Sequence, residues 1–214
     1  MNAERLRDAL RLIVITDRRL AAPRSVEEVV EAGLRAGARA VQLRDKGATP
    51  RALLEQAHRL RDLTREWEAL LFVNDRFDVA LASGADGIHL GPHDLPVAVV
   101  RNAAPEGFLI GHSTDEPGVA RKAQQDGADY IGCGAVFPTD TKADAGEAIG
   151  VEGLARVASS VEIPVVGIGG VTPEGARRIA AGSRAAGTAV IGAVMGAEDV
   201  GKAVRELLEP FRTS

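Results

Sequence analysis

Arginine, lysine, aspartate and threonine recur in this chain at the ends of short apolar runs, at spacings that suit phosphate and a hard metal ion. Thr139-Asp140-Thr141-Lys142 sets two hydroxyls, a carboxylate and an ammonium side by side. Hydroxyls and backbone N–H groups donate to phosphate oxygens, and a lysine adds charge. A polar surface turn has the same composition, so the residues around this loop must decide. Arg44 and Lys46 are two positions apart, which on an extended segment puts both side chains on one face. Two adjacent cations suit a diphosphate, although solvated charges at a strand end look alike. Asp75, beside Asn74, and Asp94 each follow an apolar run. If those runs are neighbouring strands, roughly 4.8 Å apart, the two carboxylates can share one Mg²⁺. That ion takes a few carboxylates together with phosphate oxygens and water. The plainer readings are an Asn-Asp turn for Asp75 and a helix N-cap for Asp94. Gly169-Gly170 ahead of a helix, and Gly192 closing a later run, let a phosphate approach the backbone, or else serve only as turns.

The remaining reactive residues contribute less. His58 reads as a helix-surface residue, His89 as part of a strand and His93 as a loop residue. His112, beside Ser113 at a strand end, is the histidine expected to face a site. No Ser/His/Asp or Cys/His arrangement is evident. Cys133 is the only cysteine, which rules out an intrachain disulfide, fits a reducing cytoplasm and reads as a small core residue. Two anion-binding zones, a Mg²⁺ position and no general base suggest displacement of diphosphate by a nucleophile that needs no deprotonation.

The elements that position these residues follow from apolar periodicity and turn signals. Strands are expected at Leu12–Ile15, Ala38–Leu43, Leu70–Val73, Gly87–Leu90, Phe108–His112, Tyr130–Cys133, Ile163–Val166 and Gly187–Ile191. Helical patterns lie between them. One starts at Ser25, with Glu28 completing a capping box, and closes at Gly37. Others start at Pro50, Pro117 and Thr172-Pro173, and a final amphipathic helix covers about 197–208. Gly37-Ala38, Gly84-Ala85, Gly127-Ala128 and Gly182-Ser183 each precede an even-numbered strand, as a repeating two-unit βα module would require. Eight alternating βα units in 214 residues give an α/β fold, a single-domain (βα)8 TIM barrel with a short N-terminal helix over residues 1–10. The alternative is a doubly wound open sheet, but no GxGxxG follows the first strand. In a barrel, the site lies at the C-terminal strand ends, where every residue named in the first paragraph falls.

Composition narrows the partners. A net charge of −4 argues against nucleic acid or an anionic membrane, so any anion site is a local basic cluster. No apolar run approaches the roughly 18–20 residues of a membrane span. Residues 1–10 carry both charge signs without the apolar centre of a signal peptide. With aromatics at 3%, the core has to be built from Val, Ile, Leu and Ala.

Several stretches, read in order, carry a family resemblance: ITDR at 15–18, QLRDK at 42–46, FVNDR at 72–76, GIHLGPHDLP at 87–96, GHSTDE at 111–116, GADYIGCGAVFPTDTK at 127–142 and IPVVGIGGVTPE at 163–174. GIGG and GADYI occur in many phosphate-binding barrels. Together with QLRDK, FVND, LGPHD and FPTDTK they are specific, and the chain resembles the thiamine phosphate synthase family over about residues 12–200. The resemblance implies a (βα)8 barrel that joins a hydroxymethylpyrimidine diphosphate to a thiazole phosphate, forming thiamine phosphate and diphosphate with Mg²⁺. It puts the pyrimidine diphosphate against Gln42, Leu43, Arg44, Asp45 and Lys46, with Asn74, Ser113 and Lys142. It puts Mg²⁺ on Asp75 and Asp94, and the thiazole phosphate against Thr139, Asp140, Thr141, Gly170, Ile191 and Gly192. Arg44, Lys46 and Lys142 would neutralise the departing diphosphate, and loop 140–150 would close over the reactive centre. Three positions depart from the pattern: Gly192 where serine is usual, Ala135 where proline is usual, and Pro92 where glutamine is usual. A related thiazole tautomerase would carry a histidine where Gly134 stands, and a non-catalytic phosphate-binding barrel would not need the full charged set.

Overall fold

A computed structural model describes residues 3–139 and 147–212. Its eight strands are β1 Leu12–Ile15, β2 Ala40–Leu43, β3 Leu70–Asn74, β4 Gly87–Leu90, β5 Leu109–Ser113, β6 Tyr130–Cys133, β7 Val165–Ile168 and β8 Gly187–Val190. Each pairs in parallel with the next, and β8 returns to β1 through Leu12↔Thr188 and Val14↔Val190. That last ladder closes the barrel and excludes the open sheet. β1, β2, β4, β6 and β8 are buried at every position, as a sheet covered on both faces requires.

Around it lie α1 Ala3–Ala9, α2 Arg18–Ala21, α3 Val26–Arg35, α4 Pro50–Glu66, α5 Phe77–Ala82, α6 Val97–Ala103, α7 Pro117–Gln125, α8 Gly150–Ala158, α9 Pro173–Gly182, α10 Gly192–Met195 and α11 Val200–Leu208. The caps follow the sequence signals. Ser25 and Glu28 form the expected capping box on α3, and Thr49 and Thr172 cap α4 and α9 ahead of their prolines. Two short helices, α2 and α10, were not expected. Asp17 accepts from the backbone of Arg19 and Leu20 to start α2. The helix expected over about 197–208 is α11, which Asp199 caps, and the unexpected α10 ahead of it ends at Gly196. β7 starts two residues later than expected. Pro164 has no N–H to give a ladder and serves only as an acceptor, to Ile131, before the strand begins.

The Gly-Ala repeats have a structural cause at the N-terminal end of the barrel. Gly37, Gly84 and Gly127 take positive φ (116°, 64° and 98°) as they leave α3, α5 and α7. Gly182 departs from this pattern, being the last residue of α9. After two of the glycines an aspartate ties neighbouring units together. Asp86 receives both terminal nitrogens of Arg61 on α4, at 2.6 and 3.1 Å, and the Leu71 N–H of β3. Asp129 receives Arg101 of α6 and the Ile110 N–H of β5.

Inside the barrel, Tyr130 of β6 reaches rings on strands that are not its neighbours. Phe72 of β3 stands edge-on to it at 5.2 Å between centroids, and His89 of β4 lies at 5.5 Å. The only tyrosine of the chain therefore lies across the barrel axis, beneath the site.

Candidate active site

The C-terminal strand ends enclose one cavity of about 740 Å³. Its charged wall comes from β2, β3 and β4. Strand alternation puts Gln42 and Arg44 on the inner face and Leu43 and Asp45 on the outer one. Arg44 and Lys46 line the cavity. Thr16, at the end of β1, holds this turn by accepting the Arg44 N–H at 2.9 Å. Gln42 is 2% exposed and lies below the cavity floor. Leu43 is fully buried, and Asp45 turns outward to pair with Arg18 at 3.3 Å and accept the Gly47 N–H.

Asn74 and Asp75 line the cavity where β3 ends, and Asp94 follows the turn after β4. Asp94 is not an N-cap. α6 starts three residues later, behind Pro96, with no side-chain cap, and Asp94 Oδ2 instead accepts the Gly91 N–H at 2.6 Å. This closes the Gly91–Asp94 turn and brings the carboxyl against that of Asp75. Burial, then the hydrogen bond and charge of Asp94, raise the Asp75 pKa to about 6, with Lys46 and Arg44 pulling the other way. Two oxygen donors crowded together against their own repulsion suit a divalent cation. This set fits Mg²⁺, which needs only one or two carboxylates when phosphate oxygens and water complete its shell. Among the described residues no group of three or more His, Cys, Asp or Glu forms a fuller metal cage.

The opposite wall is built from glycine. Gly169 and Gly170 hold φ of 94° and 62°. A Cβ on Gly169 would fall 2.7 Å from Ala135, and one on Gly170 would fall 2.5 Å from the Pro138 carbonyl. The glycines let the loop after β6 lie against β7, where Val136 and Phe137 N–H groups donate to Ile168 and Gly169 carbonyls at 2.8 and 3.0 Å. Thr139 at the end of that segment lines the cavity together with Gly170, Ile191 and Gly192. Asp140, Thr141 and Lys142 lie outside the described residues, as does most of the 140–150 loop read as a lid. Among the described residues nothing stands closer than 3.9 Å, at Leu20, to a Cβ built on Gly192, so they give its missing hydroxyl no steric cause. A Cβ on Gly134 would meet the Ile168 carbonyl at 2.0 Å, so this backbone leaves no room for the tautomerase histidine.

Ser113 lines the cavity from β5. His112, the histidine expected to face the site, does not line it. It alternates with Ser113, and its Nδ1 is buried without a hydrogen-bond partner among the described residues. Burial lowers its pKa, with Asp94 raising it only in part. His89 and His93 line the cavity instead, with Thr114, Asp115 and Glu116 on the rim. Alternation along β4 and β5 would have found His89 once the inner face was known. Cys133 is fully buried, and burial, then the charge of Asp115, pushes its thiol up to about 12.

The family model described as "Thiamine monophosphate synthase" matches residues 12–194. A thiamine-phosphate synthase of Pyrococcus furiosus is 52% identical over 202 residues, covering 94% of this chain and 95% of that protein. One from Archaeoglobus fulgidus is 47% identical over 208 residues, covering 97% and 96%. A solved thiamine phosphate pyrophosphorylase from Pyrococcus furiosus superposes with a TM-score of 0.86 at 48% identity, covering 96% of this chain and 97% of that one. A 4-hydroxy-2-oxoglutarate aldolase, 21% identical with a TM-score of 0.72, shares the fold alone. With a family model spanning most of its length and relatives near half identical from end to end, the chain belongs to the thiamine monophosphate synthase family of transferases.

Proposed function

We propose that this enzyme condenses 4-amino-2-methyl-5-hydroxymethylpyrimidine diphosphate with 4-methyl-5-hydroxyethylthiazole phosphate, with Mg²⁺, to give thiamine phosphate and diphosphate. The observation that carries the reading is a single cavity with cations and a carboxylate pair on one wall and a glycine cradle on the other. The first wall suits a diphosphate leaving group and the second a monophosphate.

The pyrimidine diphosphate lies against Arg44, Lys46, Asn74 and Ser113. Asp75 and Asp94 hold the Mg²⁺, which when bound neutralises charge on the diphosphate. Arg44 and Lys46 do the same from the protein side, and Lys142 joins them on the strength of its place in the FPTDTK stretch. The methylene C–O bond breaks and diphosphate leaves with the electron pair. The cation left behind is stabilised by the aminopyrimidine ring. The thiazole, held through its phosphate by Thr139, Gly170, Ile191 and Gly192, with Thr141 and Asp140 beside them, directs its nitrogen lone pair at the methylene carbon, and the C–N bond forms. No proton moves in that step, so it calls for no general base. Electrostatic stabilisation and positioning supply the catalysis. A cytoplasmic location, small-molecule substrates, and neither nucleic acid nor membrane as partner belong to the same reading. It is supported by the net charge of −4.

The test is direct. Purified protein is mixed with both substrates and Mg²⁺, and thiamine phosphate is followed by mass and by fluorescence after oxidation. Product that disappears with EDTA and returns with Mg²⁺ is the expected result. Binding of both ligands without product would make the chain a non-catalytic phosphate-binding barrel.

A further inference from the structure

Below the cavity floor a line of buried polar groups crosses the barrel, and it ends at a residue of the cavity wall. It starts at the Tyr130 hydroxyl of β6, beside the Gln42 side chain of β2. That hydroxyl lies 2.9 Å from His89 Nδ1 of β4, and His89 Nε2 lies 2.8 Å from Ser113 Oγ of β5. Tyr130 is fully buried and His89 only 8% exposed. Two glycines make room. A Cβ on Gly111 would fall 2.2 Å from the Tyr130 ring, and one on Gly132 would fall 3.0 Å from His89 Cε1.

We propose that His89 is a positioning residue, whose Nε2–H, fixed by the Tyr130 hydroxyl behind it, makes the Ser113 hydroxyl a donor toward an acceptor atom of the bound pyrimidine substrate. The inference rests on the function proposed above for the identity of that substrate. The direction of the line follows from counting protons. Burial pushes the Tyr130 pKa upward, so the phenol keeps its proton. Among the described residues His89 Nδ1 is the hydrogen-bond partner of that buried hydroxyl, and a buried O–H has to find an acceptor, so the phenol proton goes to Nδ1. An accepting Nδ1 places the imidazole proton on Nε2, where it is donated to Ser113 Oγ. Ser113 then has an accepted bond on its inner side and a proton of its own to give, and it faces the cavity. Without the line the hydroxyl can rotate, and accepting from the substrate amino group becomes equally available.

Two measurements test this. The ¹⁵N and ¹H resonances of His89, assigned by through-bond correlation in the parent protein, report the tautomer. Nε2–H is expected, and Nδ1–H overturns the proposal. Separately, kcat and KM for the pyrimidine diphosphate are measured in the parent, Ser113→Ala, His89→Phe and the double variant. Each single variant is expected to lose roughly tenfold in kcat/KM, the order of one hydrogen bond to a charged group. The double variant is expected to lose no more than Ser113→Ala alone, since His89 acts only through Ser113. Losses that multiply overturn the proposal, because a purely structural His89 would lower activity whether or not Ser113 has its hydroxyl. If the parent forms no thiamine phosphate, the function reading fails, and the tautomer still decides the line itself.

Discussion

Asp75 sits at φ 62°, in the left-handed region that costs most residues free energy and that Asn and Asp tolerate best. The turn aims its carboxyl at Asp94. Gly192 raises the opposite issue, since a hydroxyl would fit where none is present. Gly192→Ser is expected to fold normally and to lower KM for the thiazole phosphate about fivefold, the equivalent of one added hydrogen bond of about 1 kcal/mol. An unchanged or raised KM, measured by steady-state kinetics, would show that the phosphate does not reach this residue. His112 makes a pH prediction. Its folded pKa lies below the usual value because burial disfavours the cation, so the unfolded chain binds its proton more readily than the folded one. The stability associated with neutral His112 is therefore complete above the unfolded pKa, near 6.5, and is lost as pH falls below it. In urea titrations between pH 7.5 and 5, His112→Leu is expected to lose stability less steeply than the parent. Parallel slopes would refute this.

Individual elements carry function to one end of the barrel and stability to the other. The segment after β6 is held on β7 and α9 by backbone hydrogen bonds and by Phe137. That ring packs where a Cβ on Gly175 would fall 2.8 Å away, with the Arg178 guanidinium 5.0 Å from its centroid. At the other end, the Asp86–Arg61 pair joins α4, β3 and β4, with the two side chains only 23% and 15% exposed. Asp86→Ala strands a largely buried guanidinium and removes the acceptor of the Leu71 N–H. The expected cost is about 3 kcal/mol, or roughly 6–12 °C in Tm. Because this bridge is far from the cavity, kcat at a temperature where the variant is folded should match the parent. A lost kcat with an unchanged Tm would reverse that division of labour.

At the scale of the molecule, closure creates the site. Arg44 leaves β2, Asp75 β3, Ser113 β5 and Gly170 the end of β7, and they share a cavity only because β8 returns to β1. Removing residues 187–214 would expose the edges of β1 and β7, and a truncated chain is expected to aggregate. A soluble monomer with parent-like far-UV circular dichroism would count against that. Most of the architecture could be read locally. Apolar runs of four or five residues, glycines after helices and Ser, Thr or Pro before them mark elements through interactions a few residues long, which is why all eight strands stand within two residues of their expected limits. The sequence alone also determined the charged set, since strand ends and QLRDK-type stretches mark it without knowledge of what it faces. Tertiary structure decided the rest. Which histidine faces inward, that Asp94 meets Asp75 instead of capping a helix, that Asp45 turns outward, and that Tyr130, His89 and Ser113 form one line all depend on contacts between residues far apart in the chain. Alternation along a strand reveals two faces but not which one closure will turn toward the axis, and only the curvature of the completed barrel makes that choice.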